Sequence, residues 1–263
     1  MNDTPDISKS ELIVNGARLE LRHFGAAAPG RPVLIFLHEG LGSAGLWRDF
    51  PNAVARATGC PALAYSRQGY GKSDPASLPR PLSFMHDEAR SVLPALFEAA
   101  RIDDAILIGH SDGASISLIY AGESGRYLRG LVLLAPHVFV EPVCVTAIAR
   151  TRESYRSAGL RAKLMRHHGT NVDCAFYGWA DCWLDPEFLK WNLEEFLPGI
   201  EIPTLVIQGK DDEYGTLEQV DRVCAQISGP CERLVLSDCG HSPQRDQPEA
   251  ALDAIAGFVR RRL

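Results

Sequence analysis

Two adjoining runs are the strongest indication of the fold: the apolar run Ala105-Ile106-Leu107-Ile108 and, directly after it, Gly109-His110-Ser111-Asp112-Gly113. The first predicts a buried strand, and the second fits G-x-S-x-G, the pattern of a tight strand-to-helix turn that exposes a serine hydroxyl. The two glycines leave room for the crowded backbone of such a turn. Because a helix begins at the serine, the backbone amide of Asp112 can point towards a developing oxyanion. We therefore interpret Ser111 as a candidate nucleophile.

A serine hydroxyl is protonated near neutral pH, so it needs an adjacent base, and the base needs an orienting acid. The sequence supplies both residue types downstream, each behind a predicted strand. Three acids at 211–213 follow the apolar run 203–209, and His241 follows the run 234–236. Alone, each motif has a structural explanation: a helix-capping turn, a solvated acid or a loop histidine. Together, at the ends of successive strands, they favour a triad of serine, aspartate and histidine.

Strand-like and helix-like segments alternate along the chain. Two segments of alternating polarity around Asn15-Gly16 predict an antiparallel hairpin at the sheet edge. Runs that are apolar throughout, such as 32–37, predict strands covered by helices on both faces. Helices are predicted near 44–57 and, from apolar positions at helical spacing, over 84–100. We predict an α/β fold with a mostly parallel eight-stranded sheet flanked by helices.

The stretch 137–200 interrupts this alternation. It is too long for an ordinary connection and too rich in helix formers for a disordered loop. We predict a helical cap at 137–200, inserted into a core domain formed by 1–136 and 201–263. Active sites of such sheets open at the carboxyl ends of the strands, beneath the cap, so part of its aromatic content should face a substrate. The candidate pocket residues from the cap are Phe139, Phe176, Trp179 and Trp183.

Length and composition suit one domain with an insertion. The chain has 263 residues, of which 46% are hydrophobic, enough for a core on both faces of a sheet. Its formal charge of −6 argues against nucleic acid as a partner. No apolar run approaches the length that crosses a bilayer, and the polar, acidic start is unlike a signal peptide. We expect a cytoplasmic protein with no membrane partner. The sequence leaves open whether the protein forms a homodimer.

Cysteine and histidine usage predicts neither disulfides nor a metal site. The seven cysteines are an odd number without a C-x-x-C pair, which suits reduced, mostly buried thiols. His167-His168 have no further ligands at metal spacing. A mechanism based on serine, histidine and aspartate requires no cofactor. We therefore expect neither a metal ion nor a cofactor.

Three further motifs stand at the ends of predicted strands: HEGLGS at 38–43, SRQGYGKS at 66–73 and GKDD at 209–212. With the order Ser, Asp, His along the chain, they resemble the α/β-hydrolase superfamily. The corresponding patterns there are H-G-x-x-G-S, D-x-R-G-x-G-x-S and G-x-x-D. The resemblance covers nearly the whole chain, from about Leu12 to Leu263. Within the superfamily, the sequence resembles the capped branch that has a serine nucleophile. The last pattern selects Asp212 as the acid over its two neighbours.

The resemblance also implies an oxyanion hole formed by the backbone amides of Gly40 and Asp112. Two acids depart from the superfamily pattern: Glu39 replaces the usual glycine of the H-G pair, and Asp112 follows the nucleophile. A carboxylate there would oppose oxyanion formation unless it is turned away, hydrogen-bonded or protonated. Each acid has a structural explanation. The helix dipole favours an acid in the first turn, where Asp112 stands, and Glu39 can accept hydrogen bonds from backbone amides of its loop. Alternatively, one or both line the substrate pocket and disfavour strongly anionic substrates.

We predict a serine hydrolase that cleaves a small carboxylic ester or lactone through an acyl-enzyme intermediate, with Ser111, Asp212 and His241 as catalytic residues. The substrate is expected to be a small molecule. A serine nucleophile argues against the dehalogenase and epoxide-hydrolase branches, which use aspartate there. A carbon–carbon bond hydrolase of ring-cleavage diketones and a ligand-binding receptor with a vestigial triad are the alternatives. An aminopeptidase-like branch would need a cap acid, Glu141 or Asp181, to bind the substrate amine.

Overall fold

One sheet of eight strands runs through the computed structural model, which describes residues 7–157 and 159–263. The strands, numbered along the chain, are β1 (Ile7–Val14), β2 (Ala17–Phe24), β3 (Val33–Leu37), β4 (Ala62–Tyr65), β5 (Ala105–His110), β6 (Leu128–Leu134), β7 (Thr204–Gly209) and β8 (Cys231–Leu236). Their order across the sheet is β1-β2-β4-β3-β5-β6-β7-β8. β2 pairs antiparallel with β1 and β4, whereas all pairs from β4 across to β8 are parallel. The predicted sheet and its edge hairpin are confirmed.

Helices cover both faces of this sheet. The α-helices are α1 (Phe50–Thr58), α2 (Phe84–Asp87), α3 (Leu93–Ala99), α4 (Asp112–Glu123), α5 (Pro142–Ser157), α6 (Leu160–His168), α7 (Val172–Trp183), α8 (Leu217–Gln226), α9 (Pro243–Asp246) and α10 (Pro248–Arg260). In β5, Ile106 and Ile108 pack in a cluster with α1 and α10, while Leu107 packs in a second cluster with α3 and α4. Burial on both faces explains why this strand is apolar throughout. Within the described residues, no helix is both long and apolar enough to cross a membrane.

Two helices differ from their predicted bounds. The helix predicted near 44–57 begins only at Phe50, because the residues before it form turns, such as the one closed by the Leu46 amide on the Ser43 carbonyl (3.0 Å). The helix predicted over 84–100 is divided by a π-helical segment at Glu88–Val92. Pro94 explains the division, since it has no amide hydrogen for the carbonyl four residues earlier and its ring crowds that carbonyl.

Residues 137–200, which we call the helical segment, connect β6 to β7. Besides α5, α6 and α7, they form three short 3₁₀ turns at Gly169–Asn171, Pro186–Lys190 and Glu194–Gly199. The segment contacts the loop that follows β4: the Gly71 amide donates to His168 Nδ1 (3.0 Å), and Asn171 Nδ2 donates to the Ser73 carbonyl (2.7 Å). The helical segment therefore lies at the carboxyl ends of the parallel strands. Its treatment as a separate cap domain stays a prediction.

The expectation that every cysteine is a reduced thiol is wrong for one pair. Cys224 in α8 and Cys231 at the start of β8 are joined in a disulfide, with their Cα atoms 5.5 Å apart. The turn between helix and strand brings the two together, and a search for C-x-x-C spacing could not reveal this pairing. The remaining cysteines are free, and all of them except Cys174 are buried.

Candidate active site

The turn at Ser111 adopts a strained backbone conformation. Ser111 has φ 53° and ψ −119°, a positive φ that side-chain-bearing residues rarely adopt. A Cβ atom on Gly109 would collide with the carbonyl of Gly113, and one on Gly113 would collide with the carbonyl of Leu37. Glycine at both positions therefore lets helix α4 approach strands β5 and β3 closely enough to form the turn. The serine hydroxyl is presented at the carboxyl edge of the sheet.

The structure brings Ser111, His241 and Asp212 together. His241 Nε2 lies 2.9 Å from Ser111 Oγ, and His241 Nδ1 lies 2.8 and 3.0 Å from the two carboxylate oxygens of Asp212. The three residues stand behind β5, β8 and β7, whose carboxyl ends share one edge of the sheet. This geometry allows the imidazole to accept the serine proton at Nε2 while its Nδ1–H donates to the carboxylate.

Asp212 is held as an ionised acceptor. Oδ1 accepts hydrogen bonds from the amides of Tyr214 (2.7 Å) and Gly215 (3.2 Å), and Oδ2 accepts one from Gln208 Nε2 (2.7 Å). Burial favours the neutral carboxyl, but the charge of His241 and the hydrogen bonds outweigh it and lower the pKa of Asp212. Burial also opposes charge on His241, yet the charge of Asp212 and the hydrogen bond to it raise the pKa of His241. The pair is therefore arranged to stabilise an imidazolium.

Gly40 and Asp112, whose backbone amides are the predicted oxyanion donors, both line the cavity beside Ser111. Neither amide donates a hydrogen bond within the described part of the chain, and Asp112 stands at the start of α4, where a helix has no internal acceptor. A Cβ atom on Gly40 would overlap the pyrrole edge of Trp179, which explains glycine there. Two unengaged donors at one spot can stabilise an oxyanion.

The side chain of Asp112 turns away from the cavity. It is 0% exposed, and Oδ1 accepts a hydrogen bond from the indole of Trp183 (3.1 Å). Its Oδ2 lies 4.0 Å from Nη2 of Arg67, a guanidinium that is itself only 2% exposed. Burial raises the pKa of Asp112, against the opposing effect of Arg67 and the Trp183 hydrogen bond. The charge of Arg67 offsets this carboxylate, so it does not oppose an oxyanion at the neighbouring amide.

Glu39, in contrast, reaches the cavity wall. Its side chain is 27% exposed, and Oε2 lies 3.4 Å from Nδ1 of the buried His110. Burial alone would raise the pKa of Glu39, but the contact with His110 and its charge lower that pKa to about 2. Gln244 Nε2 also lies 3.1 Å from His110 Nδ1, and the buried Gln244 Oε1 has no partner among the described residues.

The cavity in front of Ser111 has a volume of about 90 Å³. Of the five residues predicted for the pocket, Glu39, Trp179 and Trp183 lie in its wall. Phe139 and Phe176 do not. Phe139 pairs with Asn192 in an isolated β-bridge, and Phe176 is covered by the ring of Tyr155, whose centroid is 3.6 Å away. The remaining wall consists of Gly40, Leu41, Ser111, Asp112, His137, Cys144, Ile148, Tyr214 and His241.

His137 is the cavity residue that sequence reasoning missed most clearly. It is buried, lies in the cavity wall and has its ring centroid 5.5 Å from that of His241. Burial first, and then the charge of His241, lower the pKa of His137 to about 3, so its imidazole is neutral. The sequence position of His137 could have identified it as a cavity residue. His137 stands shortly after β6, and β6 is the neighbour of β5, the strand that precedes Ser111.

Neither acid suggested for an amine substrate reaches the cavity. The Glu141 carboxylate accepts hydrogen bonds from Thr216 and Gln219 and so anchors the start of α8. Asp181 is exposed on α7. In residues 7–157 and 159–263, no group of three or more His, Cys, Asp and Glu side chains is placed to hold a metal ion.

Comparison with known proteins places these features in one family. A model described as "Alpha/beta hydrolase family" matches residues 34–254, which is most of the chain. A 2-hydroxy-6-oxo-6-phenylhexa-2,4-dienoate hydrolase of Comamonas testosteroni is 24% identical over 273 residues, covering 92% of each chain. The corresponding hydrolase of Burkholderia cepacia is 26% identical over 260 residues, covering 87% of each chain.

Solved structures show the same fold. The enol-lactonase from Burkholderia xenovorans LB400 has a TM-score of 0.75 and 19% identity, and the match covers 95% of this chain and 99% of the lactonase. A serine hydrolase involved in carbazole degradation also has a TM-score of 0.75, with 20% identity and coverage of 96% and 98%. At such identities the likeness establishes the architecture alone.

Proposed function

The chain belongs to the alpha/beta hydrolase family, and we propose that it is a serine hydrolase that cleaves a small carboxylic ester or lactone through an acyl-enzyme intermediate. The proposal rests on one observation: His241 joins Ser111 Oγ at 2.9 Å to Asp212 at 2.8 Å. A serine is weak as a nucleophile until a base removes its proton, and this chain of contacts provides the base and its orienting acid. We take the helical segment as the cap over the site.

Acylation begins when Ser111 Oγ attacks the carbonyl carbon of the substrate and transfers its proton to His241 Nε2. Asp212 holds the imidazole in the tautomer with hydrogen on Nδ1 and stabilises the imidazolium. The amides of Gly40 and Asp112 stabilise the negative oxygen of the tetrahedral intermediate, a contribution of about 2.7–4 kcal/mol for one such donor. When the intermediate collapses, His241 donates its proton to the leaving alcohol, and the acyl group remains on Ser111.

Deacylation repeats these steps with water as the nucleophile. His241 accepts a proton from the water, whose oxygen attacks the acyl carbon while the same two amides hold the oxyanion. Collapse of this second intermediate returns the proton to Ser111 Oγ and releases the carboxylic acid. For a lactone, the alcohol and the acid leave as one hydroxy acid. Every step uses groups of this chain and water.

The size of the cavity supports a small substrate. Pockets that enclose drug-sized ligands have volumes of about 300–1,000 Å³, whereas the cavity at Ser111 has about 90 Å³. Its walls are largely apolar, with Leu41, Ile148 and two tryptophans around the serine. A short acyl chain fits this space without a change in the surrounding helices.

Carbon–carbon bond cleavage is the second candidate, because curated relatives carry that activity in their names. The matches to the hydrolases of Comamonas testosteroni and Burkholderia cepacia span nearly the whole chain. The same base could activate water against a ketone, and the leaving group would then be a stabilised carbanion protonated from solvent or His241. The phenyl-bearing substrates named for those relatives need more space than the cavity offers, so this candidate requires the helical segment to move.

A fluorophosphonate probe and a substrate screen test the proposal. We expect the probe to label the protein, and Ser111→Ala to abolish labelling and hydrolysis alike. Turnover should be found among short-chain esters or lactones, and not among vinylogous diketones. A wild-type protein that is neither labelled nor active on any of these compounds would contradict the proposal and favour a ligand-binding role. Turnover of the diketones alone would favour the second candidate.

A further inference from the structure

We propose that the site accepts uncharged acyl groups and rejects those that carry a carboxylate, and that Glu39 is the residue that sets this selection. The inference rests on the proposed function, because it names the class of substrate that the site at Ser111 would take. It is supported by the set of charged side chains near the cavity and by the extent to which each of them is buried.

No cation is available to pair with an anionic substrate. Among the described residues that line the cavity, none is lysine or arginine. The guanidinium of Arg67 is buried and is not part of the cavity wall, and its Nη1 and Nη2 donate to the carbonyl oxygens of His38 (2.5 Å) and Glu39 (3.0 Å). His137 is neutral, and His241 must also be neutral to accept the serine proton. A substrate carboxylate would therefore lose its water without gaining a counter-ion, which is strongly unfavourable.

Of the two acids that the sequence places beside the reaction centre, only Glu39 can act on the substrate. The Asp112 side chain is fully buried and offset by Arg67, so a substrate does not meet it. Glu39 stands in the cavity wall, directly before Gly40, and its side chain is 27% exposed. Its partner His110 lies behind it, outside the cavity wall, with a side chain that is 1% exposed. A substrate in the cavity therefore meets Glu39 and not His110.

Uncharged acyl groups meet no such obstacle. The wall offers Leu41, Ile148 and the faces of Trp179 and Trp183, against which an aliphatic chain can pack. Besides Glu39 and the groups of the reaction itself, the polar side chains of the wall are those of Cys144, Tyr214 and the neutral His137. The cavity therefore favours a short aliphatic acyl group over a dicarboxylic monoester of the same shape.

Three methyl esters of matched shape separate charge from polarity. Methyl 3-methylbutanoate presents an isopropyl group, methyl malonamate presents an amide, and monomethyl malonate presents a carboxylate that is ionised at neutral pH. Rates are divided by the alkaline hydrolysis rate of each ester to remove differences in intrinsic reactivity. We expect kcat/KM for both uncharged esters to exceed that for the anionic ester by about a hundredfold.

Glu39→Gln tests the residue, because glutamine keeps the shape and removes the charge. We expect this variant to narrow the ratio between uncharged and anionic esters by about tenfold. Glu213→Gln is the matched control, since Glu213 is exposed outside the cavity wall and its removal should leave the ratio unchanged. Leu41→Lys provides an independent variant: a cation added to the wall should raise kcat/KM for the anionic ester.

The outcomes are distinguishable. A wild-type ratio near one, with hydrolysis that depends on Ser111, would overturn the selection and leave the proposed function standing. If methyl malonamate shows a kcat/KM as low as that of monomethyl malonate, the site selects against polarity and not against charge. This result also overturns the proposed selection. A large ratio that Glu39→Gln does not narrow would overturn the role of Glu39. Absence of Ser111-dependent hydrolysis of any ester or lactone would remove the proposed function and this inference together.

Discussion

His110 Nε2 donates a hydrogen bond to the backbone carbonyl oxygen of His241 at 2.7 Å. His110 directly precedes Ser111, so this bond connects the turn of the nucleophile to the loop of the base. On its other ring nitrogen, His110 faces Glu39, which directly precedes Gly40. The three loops that carry the candidate nucleophile, base and oxyanion donor are thereby tied together through one buried imidazole.

Removal of this connection should impair catalysis more than binding. We expect His110→Ala to lower kcat by about tenfold to a hundredfold with little change in KM, because a displacement of the base of about 1 Å can have an effect of that size. The rate of fluorophosphonate labelling at Ser111 reports the same loss without a substrate. His167→Ala, an exposed histidine on α6, is the control and should label at the wild-type rate. An unchanged labelling rate in His110→Ala would contradict the positioning role.

Asp212→Asn should leave the contacts in place but reverse the hydrogen-bond preference of the imidazole. The amide can donate to Nδ1 and so favours the tautomer with hydrogen on Nε2, which cannot accept the serine proton. We expect kcat to fall by about 10⁴-fold. Steady-state kinetics on the best ester identified in the screen measure this change. If Asp212→Asn retains most of the activity while the neighbouring Asp211→Asn or Glu213→Gln loses it, the acid has been misassigned.

The pH dependence of kcat/KM should show the raised pKa of His241. The imidazole must be neutral to accept a proton, so activity is present above its pKa and is lost as the pH falls through it. Because Asp212 raises the pKa of His241, the midpoint of the acid limb should lie above 6.5, the ordinary value. Asp212→Asn removes the negative charge and should move the midpoint to lower pH. A midpoint that is the same in both proteins would contradict the electrostatic role of Asp212.

The buried pair of Asp112 and Arg67 should contribute to stability. We expect Asp112→Ala to lower the free energy of unfolding by about 3–5 kcal/mol, because it leaves a buried guanidinium without its anionic partner. Chemical denaturation measures the change. Glu123→Ala is the control, since its pair with Arg90 is exposed and should contribute no more than about 1 kcal/mol. Equal effects of the two substitutions would argue against a charged pair beneath the turn.

Gly113 should tolerate no side chain. We expect Gly113→Ala to destabilise the protein by at least about 1–3 kcal/mol and to reduce labelling of Ser111, because its Cβ would collide with the Leu37 carbonyl. Gly257→Ala in α10 is the matched control, where the nearest atom to a new Cβ is 3.5 Å away. That substitution should stabilise the helix by about 0.5–1 kcal/mol. Thermal denaturation of both variants separates the collision from the general effect of a methyl group.

The sheet could be predicted from the sequence, and so could the approach of Asp212 and His241 to Ser111. Strands buried on both faces must be apolar throughout, and a turn as tight as that at Ser111 admits only glycine at 109 and 113. Both features can therefore be recognised from the local residue types. Strands in parallel order then bring the residues behind β5, β7 and β8 to one edge. The helices before β4 and β5 differ from their predicted bounds, because turns and Pro94 alter the backbone locally.

Which side chains face the cavity depends on contacts that the sequence pattern does not reveal. Phe176 and Trp179 belong to the same helix, yet the ring of Tyr155 covers the first and leaves the second over Gly40. Glu39 and Asp112 are chemically alike, but Arg67 and Trp183 withdraw only Asp112 from the cavity. These differences arise from contacts between elements far apart in the chain. Packing in three dimensions, and not residue type, determines which charge a substrate meets.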